Sequence, residues 1–459
     1  MRVPLDRHAV RSLPDAASVE RHDAAVFDLR ARRDGAMAEL PELEALRHHA
    51  ASIKAHTLDH LERYLRLFER RALQAGAQVH WAAEARDHNR IVHELLARRG
   101  VSRVVKSKSM LTEDCGLNPY LEARGIDVVD SDLGERIVQL ADERPSHLVV
   151  PAVHRRREEI GDLFHERMGI PAGESDPARL TEYARRDLRP RFLAAQAGLT
   201  GVNFAIAETG SLVLCTNEGN ADLGMSLPPL HIACMGIEKI IPTLDDLAVF
   251  LRLLARSATG QPITAYTSLL TGPRPGAELH IVVVDDGRSR LLADSRHRGA
   301  LACIRCGACL NTCPVYRHAG GHAWGRAVSG PIGSVLAPAL GTDREARQLP
   351  LASTLCGSCT AVCPVRIDLH DQLLHWRSEV APPSGLERLG LHLLAEVLRR
   401  PRLYRGLKTL ACAAWPLLRR RWPGNPLGAW LRGRELPEWP RPSPQEPTSG
   451  PPRAPEPSP

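Results

Sequence analysis

Apolar residues recur at three- and four-residue spacings through most of the first hundred positions. The segments LDHLERYLRLFERRALQAG and HNRIVHELLARRG show this period most clearly. Because a helix brings residues three and four apart onto one face, the spacing predicts amphipathic helices. Gly100 follows the second segment and is a suitable C-cap, since glycine readily adopts the left-handed conformation that ends many helices. We therefore predict that residues 1 to about 98 are mostly helical.

From about residue 101 the pattern changes to short runs of β-branched and other apolar residues, separated by helical stretches. One such helix, LGERIVQL, follows Asp132, which forms a capping box with Glu135, and a later helix has Thr243 at its N-cap. Strands that alternate with helices indicate an α/β layer with a largely parallel sheet. The predicted strands are VSRVV (101–105), IDVVD (126–130), HLVVP (147–151), NFAIA (203–207), SLVLC (211–215), HIAC (231–234), EKII (238–241) and HIVVV (280–284).

The rest of the chain differs in composition from this α/β region. It begins with a stretch rich in loops, glycines and clustered cysteines, continues with a basic stretch that we predict to be helical, and ends in a segment dominated by proline. Such a proline-rich segment is expected to be disordered. The predicted regions are an N-terminal helical region (1–65), an α/β domain (66–290), a cysteine-rich domain (291–381), a basic helical region (382–435) and a disordered tail (436–459).

Charge and composition narrow the classes of function. The net charge of +7 is modest for 459 residues and is spread over several arginine-rich helices, so we expect no nucleic-acid partner. No stretch reaches the roughly 18 apolar residues of a membrane span, and the N-terminus lacks the apolar core of a secretory signal. We therefore expect a cytoplasmic location, where eleven cysteines indicate metal or redox chemistry rather than structural disulfides.

The first cysteine motif has the pattern C-x2-C-x2-C-x3-C-P. This is the ferredoxin spacing, in which three cysteines bind one cubane cluster and the fourth binds the other cluster. The two-residue gaps let a tight loop direct three thiolates to three irons of one cluster, while the longer gap and the proline direct the fourth sulfur away. The motif therefore predicts two neighbouring [4Fe–4S] clusters. Its residues are Cys303, Cys306, Cys309, Cys313 and Pro314.

The second motif, CGSCTAVCP, also ends in cysteine and proline, but Ser353 stands where its first ligand is expected. The second cluster then has three cysteines. It is either a [3Fe–4S] cluster or a cubane completed by Ser353, by water or by a distant cysteine. The interleaved rule assigns Cys303, Cys306, Cys309 and Cys363 to the first cluster, and Cys313, Cys356 and Cys359 to the second.

Structural zinc is the main alternative to iron at these cysteines. Zinc sites commonly use four ligands in paired C-x2-C knuckles, whereas seven cysteines with two C-P endings fit two clusters better. Two of the other cysteines, Cys215 and Cys234, fall in predicted strands, and we interpret them as buried packing residues. The cysteines outside the motifs are Cys115, Cys215, Cys234 and Cys412.

Two polar turns, ETGS and TNEGN, flank the apolar strand SLVLC and place carboxylate, hydroxyl and amide groups at its ends. Ligands of open α/β sheets bind at strand ends. Lys106 and Lys108, just past the first predicted strand, are further candidate anion contacts. The alternative is that these are ordinary residues of turns and solvated loops. The residues predicted to line one pocket from the two turns are Glu208, Ser211, Asn217, Glu218 and Asn220.

Five segments, taken together in this order, resemble the lactate utilization protein B family. The resemblance runs from about residue 50 to residue 380. It implies a LUD domain, similar in fold to the NagB/RpiA/CoA-transferase group, joined to an α-helical, ferredoxin-like domain with two [4Fe–4S] clusters. The family's second motif also has three cysteines, so Ser353 fits the family pattern. The segments are VVKSKSMLTEDCGLN, DSDLGERIVQL, AETGSLVLCTNEGN, CIRCGACLNTCPVYRHAGGHAWG and LCGSCTAVCPVRIDLH.

This resemblance also implies a function. It indicates the iron–sulfur electron-transfer subunit of a complex that oxidises L-lactate to pyruvate, whose other members are a cysteine-rich subunit and a second LUD-domain subunit. The alternatives are an electron carrier for another 2-hydroxy acid, such as glycolate, and a CoA-transferase-like enzyme with structural clusters. The sequence has no G-x-G-x-x-G fingerprint and no other recognisable flavin site. We therefore expect substrate oxidation on a partner subunit and assign no catalytic residue.

The stretch LYRGLKTLACAAWPLLRRRW (403–422) has an apolar centre and basic flanks. We interpret it as a helix that packs on the protein or on a partner. The alternative is a peripheral contact with the inner membrane, because basic flanks favour anionic lipid. Such a contact would suit an electron relay that delivers to quinone, although a carrier protein is an equally suitable acceptor.

Overall fold

Ten strands in two sheets are present in the computed structural model, which describes residues 16–341, 344–380 and 385–418. The strands are β1 (Gln78–Ala82), β2 (Arg103–Lys106), β3 (Asp127–Asp130), β4 (Ala197–Gly201), β5 (Phe204–Ile206), β6 (Ser211–Thr216), β7 (Leu230–Gly236), β8 (Ile240–Ile241), β9 (Tyr266–Leu270) and β10 (Glu278–Val284).

The larger sheet is entirely parallel and has the order β1-β10-β7-β4-β2-β3. Every residue of β7 is buried, and since successive side chains point to opposite faces, both faces of the sheet are covered. On one face Met235 and Ile281 pack against the smaller sheet, and on the other face Cys234 and Val282 pack against helices. The predicted α/β layer with a largely parallel sheet is therefore confirmed.

The smaller sheet has the order β8-β5-β6-β9 and is mostly antiparallel. One face of it packs on the larger sheet through Ala205 and Leu212. The opposite face, with Phe204 and Val213, joins a core that also includes the N-terminal helices and the cysteine-rich segment. This sheet therefore connects the α/β region to the cysteine motifs.

Three details of the strand prediction are corrected. Residues 147–151 form a loop, because His147 Nδ1 accepts hydrogen bonds from the backbone N–H groups of Val149 (3.0 Å) and Val150 (3.2 Å), which a sheet partner would otherwise occupy. The run EKII is a strand only over its two isoleucines, after a 3-10 turn at Ile237–Lys239. The strand β1 lies in the region predicted to be helical. It was not predicted as a strand because its sequence QVHWA, at an edge of the sheet, mixes polar and apolar residues.

Eighteen helices lie in the described part of the first compact unit, residues 1–380. They are α1 (Ala16–Ala38), α2 (Leu43–Asp59), α3 (Leu61–Gln74), α4 (Ala85–Arg98), α5 (Met110–Asp114), α6 (Leu117–Glu122), α7 (Leu133–Leu140), α8 (Arg157–Met168), α9 (Pro177–Ala194), α10 (Asn220–Ser226), α11 (Leu244–Thr259), α12 (Arg288–Ala293), α13 (Ala308–Thr312), α14 (Pro314–Ala319), α15 (Gly330–Leu340), α16 (Arg344–Gln348), α17 (Ser358–Val362) and α18 (Leu369–Val380).

Two of these helices begin at the N-cap residues that the sequence predicts, although the capping box predicted for α7 lacks the bond from the Glu135 side chain, which faces Lys106 instead. The Asp132 side chain accepts a hydrogen bond from the backbone N–H of Glu135 at 3.1 Å, and α7 starts directly after this aspartate. Thr243 and Asp246 form a reciprocal capping box at the start of α11. The caps matter for the site because they fix where the loops after β3 and β8 turn into helices.

The second compact unit, residues 381–459, contains α19 (Gly385–Arg399) and α20 (Pro401–Leu418) in its described part. Leucines remain exposed along both helices, among them Leu393 and Leu410. In the described ranges, no helix combines the length and the apolar character that a bilayer crossing requires. The predicted disordered tail (436–459), residues 419–422 of the amphipathic stretch and the side chain of Cys412 lie outside the described residues.

Candidate metal centres and the adjoining cavity

The two cysteine motifs fold into loops with the same backbone conformation. Arg305 and Leu355, each directly before a cysteine, have φ angles of 62° and 55°, and the glycines after those cysteines, Gly307 and Gly357, have φ angles of 78° and 79°. Each glycine leads into a five-residue helix that carries the next cysteine. A left-handed non-glycine residue costs about 1–3 kcal/mol, so its occurrence at both corresponding positions indicates a shared requirement of the two loops.

Four thiols from both motifs form the first group. Burial, together with the nearby Cys303 and Cys363, raises the pKa of Cys306 to about 12. Burial likewise raises the pKa of Cys363 to about 11, with a further contribution from Cys303. For Cys309, burial and the charges of these three cysteines raise the pKa well above its usual value. Cys363, which belongs to the second motif in sequence, is thus placed among the first three cysteines.

The other three thiols form the second group. Burial, together with Cys313 and Cys356, raises the pKa of Cys359 to about 11. The pKa of Cys313 is raised by burial and, less strongly, by Cys356. Cys356 is exposed, and a hydrogen bond with the Thr354 side chain lowers its pKa. Cys313, which belongs to the first motif in sequence, is thus placed with the second.

The surroundings of the sulfurs suit iron–sulfur clusters. All seven motif cysteines are free thiols, and each sulfur accepts at least one backbone hydrogen bond. Arg305 N–H donates to Cys303 Sγ at 3.4 Å, for example, and Ile367 N–H donates to Cys363 Sγ at 3.3 Å. Such bonds favour the thiolate, which is the form that binds iron, and they also tune cluster potentials. No described His, Cys, Asp or Glu residues form a group of three or more arranged around a single metal ion.

Ser353 occupies the place in its loop that Cys303 occupies in the first loop. It lies three residues before Cys356, as Cys303 lies three residues before Cys306. The Leu355 N–H donates to Ser353 Oγ at 3.1 Å, just as the Arg305 N–H donates to Cys303 Sγ. With the shared φ angles, this correspondence places a hydroxyl where the first motif presents a thiol.

Two buried arginines from the N-terminal helices hold the end of α17 and the start of the loop that contains Cys363. Arg47 Nη2 donates to the carbonyl oxygens of Cys363 (2.9 Å) and Ala361 (2.7 Å), and Arg33 Nη2 donates to that of Val362 (2.9 Å). The charge of Arg47 also lowers the pKa of Cys363, against the larger effect of burial. These arginines were not identified from the sequence, because they lie more than 300 positions from the loop and share no motif with it.

A cavity of about 480 Å³ lies at the carboxyl ends of the parallel strands. Its walls include Lys108 after β2, Asp132 after β3, Asn203 after β4 and Lys239 after β7. On the side of the cysteine-rich segment it is lined by Arg305, which stands between two ligand cysteines of the first group. The cavity therefore connects the strand ends with the first thiol group.

Three of the five turn residues predicted to share a pocket line this cavity, as does the candidate anion contact Lys108, and the grouping of all five in one pocket is corrected. Glu208 and Ser211 lie at the other end of the six-residue strand β6, where Glu208 accepts a hydrogen bond from the N–H of Leu244 at 3.0 Å and Ser211 contacts Thr271 at 2.6 Å. Lys106 is fully buried in an ion-pair cluster instead. The four lining residues are Lys108, Asn217, Glu218 and Asn220.

Two family models match the chain in the order of these two regions. The model of the LUD domain matches residues 65–290, which contain the larger sheet, and the model of the 4Fe-4S dicluster domain matches residues 299–367, which contain all seven motif cysteines. The second match agrees with the presence of two separate thiol groups. The chain therefore carries two [4Fe–4S] clusters.

Similar proteins cover nearly the whole chain. Lactate utilization protein B of Geobacillus thermodenitrificans (strain NG80-2) is 44% identical over 422 residues, which are 88% of both chains. Lactate utilization protein B of Shouchella clausii (strain KSM-K16) is 40% identical over 449 residues, 95% of this chain and 94% of that one. The uncharacterized electron transport protein YkgF of Escherichia coli (strain K12) is 42% identical over 421 residues, 89% of this chain and 88% of that one.

One solved structure is also similar to part of the chain. The crystal structure of a DUF162 family protein from Deinococcus radiodurans covers 49% of this chain and 98% of its own, with 18% sequence identity. The TM-score is 0.28.

Proposed function

This chain belongs to the lactate utilization protein B family, and from this premise we propose that it is the iron–sulfur electron-transfer subunit of a complex that oxidises L-lactate to pyruvate. The observation that carries the proposal is the pair of interleaved thiol groups beside a cavity at the strand ends of the LUD domain. Oxidation of lactate to pyruvate releases two electrons and two protons. Each cluster accepts one electron at a time, so two clusters provide a stepwise path for the pair.

The thiol groups give the ligand sets of this proposal. Cys363 completes the first set and Cys313 joins the second. The reason is that the pKa of each is raised by a cysteine of the other motif, which indicates that they lie close together. Ser353 Oγ is the fourth ligand that the loop geometry favours for the second cluster. The proposed sets are Cys303, Cys306, Cys309 and Cys363 for the first cluster, and Cys313, Cys356, Cys359 and Ser353 for the second.

The role of Ser353 leads to a testable result. In Ser353→Ala the second cluster should lose one iron, so that an EPR signal of a three-iron cluster appears and the iron content falls from about eight to about seven per chain. Ser353→Cys should retain about eight irons, because a thiolate then stands at the same position. Ser358→Ala is the matched control, since that hydroxyl contacts Thr312 instead. An unchanged EPR spectrum and iron content in Ser353→Ala would contradict the proposal.

The partners belong to the same proposal. We infer that substrate oxidation takes place on another subunit, and that a cysteine-rich subunit and a second LUD-domain subunit complete the assembly. The electrons then leave to quinone or to a carrier protein. The exposed leucines of α19 and α20 give the second unit an apolar surface for a subunit contact or for a peripheral membrane contact.

The test of the proposed function uses the protein with its partners. The chain is purified anaerobically with co-eluting subunits, and the visible absorption and EPR spectra of its clusters are followed after addition of L-lactate. We expect the clusters to be reduced and pyruvate to form in proportion. Glycolate and D-lactate are parallel substrates. Faster reduction by glycolate than by L-lactate would move the assignment to another 2-hydroxy acid, and no reduction by any of them would end it.

A further inference from the structure

The cavity lies at the point where the larger sheet changes its direction of winding. After β2 the chain adds β3 on one side, whereas after β4 the next strand of this sheet, β7, is added on the other side. In open α/β sheets the crevice at such a switch point, outside the carboxyl ends of the strands, is where ligands bind. Its volume of about 480 Å³ is in the range of small-molecule sites.

Positive charges collect at the end of the cavity that faces the first cluster site. Lys239, half-buried in the 3-10 turn after β7, forms no ion pair or hydrogen bond with any residue that the structure describes. Arg305 has a buried Nη1 with no hydrogen-bond partner, and its Nη2 lies 3.8 Å from the Glu238 carboxylate. That carboxylate is already bound to Arg288 at 2.9 Å. Lys239 and Arg305 therefore have donors to offer to a ligand.

The remaining charges near this end are few. Arg288 is neutralised by Glu238 and by Asp286, which lies 4.0 Å away. Asp114 also lines the cavity and lies within ion-pair distance of no described cation; burial raises its pKa to about 6. Burial lowers the pKa of Lys239 to about 8, which leaves its ammonium mostly protonated at neutral pH. The cavity thus offers cationic donors at one end and a carboxyl group that holds or releases a proton close to neutral pH.

We propose that this cavity binds a small carboxylate anion, a 2-hydroxy or 2-oxo acid, with the carboxylate on Lys239 and Arg305. This inference deepens the proposed function, on which it rests for the choice of acid. Bidentate donation from a guanidinium, supported by an ammonium, is the usual way that proteins hold carboxylates. Apolar wall residues such as Val202, Met235 and Leu254 suit the short carbon chain of such an acid rather than a polyphosphate.

The site would place the acid next to the first cluster. Arg305 lies between Cys303 and Cys306, and the charge of Cys303 acts on Lys239. The simplest rival explanation follows from the same contacts: the two cations serve only to offset the negative charge of the cluster and its thiolates. The rival predicts a shift of the cluster potential when Lys239 is changed, but no bound acid.

The experiment measures binding to the full chain with both clusters loaded, under anaerobic conditions and without partner subunits. Isothermal titration calorimetry with pyruvate and with L-lactate is performed on the wild type and on Lys239→Met, Lys239→Arg and Lys408→Met. Lys408 is exposed on α20 and is not among the residues that line the cavity, so its variant makes the same change of charge without altering the cavity wall. Iron content and melting temperature of each variant show that the fold and clusters are intact.

We expect saturable binding of at least one of the two acids to the wild type, to Lys408→Met and to Lys239→Arg. In Lys239→Met the affinity should fall about tenfold to a hundredfold, the usual loss for one hydrogen bond to a charged group. Absence of binding to the wild type, wild-type affinity in Lys239→Met, or tighter binding of inorganic phosphate than of either acid would overturn the inference. A shifted potential of the first cluster with unchanged binding would overturn it in favour of the rival.

The outcome is separable from that of the proposed function. If the complex reduces its clusters with L-lactate but the isolated chain binds neither acid, the cavity inference fails and the electron-transfer proposal stands. If the chain binds the acid with the predicted dependence on Lys239 while the complex shows no lactate-dependent reduction, the cavity inference stands and the electron-transfer proposal fails.

Discussion

Replacing Cys363 with alanine is expected to remove the first cluster, although this cysteine belongs to the second motif in the sequence. The iron content should fall from about eight to about four per chain, because the structure groups Cys363 with Cys303, Cys306 and Cys309. The remaining EPR signal should be that of the second cluster. Iron and sulfide analysis with EPR of anaerobic protein measures both effects.

Two variants control this result. Cys359→Ala removes a ligand of the second set and should leave the EPR signal of the first cluster in place. Cys215→Ala changes a partly buried cysteine on β6, outside both sets, and should retain about eight irons. If Cys363→Ala keeps the first signal and loses only the second, each motif binds its own cluster and the interleaved ligand sets are incorrect.

The second large effect is expected for Lys106→Met, which should lower the stability of the fold rather than the iron content. Lys106 is fully buried, with its ammonium 2.7 Å from Asp130, 2.9 Å from Glu113 and 3.7 Å from Glu135. Replacement by methionine leaves three carboxylates without their cation, which costs about 3–5 kcal/mol when one partner of a buried ion pair is removed. We expect a lower melting temperature and a lower urea midpoint for Lys106→Met, with Lys408→Met unchanged.

The loss of stability in Lys106→Met is also expected to change with pH. Burial raises the pKa values of Asp130 and Glu135 in the folded protein, and Lys106 counteracts part of that rise. Without Lys106 the pKa values rise further, so the folded state binds more protons than the unfolded state and stability increases as pH falls. The loss of unfolding free energy in Lys106→Met, relative to the wild type, should therefore be smaller at pH 5.5 than at pH 7.5. A deficit that grows toward acidic pH, or a variant as stable as the wild type, would show that the three carboxylates do not depend on Lys106.

The sequence was most informative where one local pattern determines the structure. The short apolar runs of β7 and β10 are typical of strands inside a parallel sheet, and the cysteine spacing indicates cluster-binding loops in both motifs. The sequence was least informative at β1, whose mixed residues acquire meaning only beside β10, and at the loop 147–151, where a histidine side chain replaces a strand partner.

The cavity shows why part of the site was not predictable. The run EKII matches a strand pattern, but its charged half forms a 3-10 turn, and that turn brings Lys239 into the cavity. Arg305 is one of two residues between Cys303 and Cys306, and the cysteine spacing does not indicate which of the two side chains points into the cavity. Both residues depend on how distant segments meet, which a local pattern does not contain.

The contacts of Arg33 and Arg47 have a consequence for how the protein is made. Helices α1 and α2 are synthesised more than 300 residues before the segment around residue 363, whose carbonyl groups they bind through these arginines. The core around the cysteines likewise includes Val26 and Met37 from α1. Until synthesis has passed this loop, the first helices lack their partner and the first cluster lacks a ligand. We therefore expect the first cluster to be completed only after residue 363 has been synthesised, and we expect the cysteine-rich segment to need α1 and α2 for its native packing.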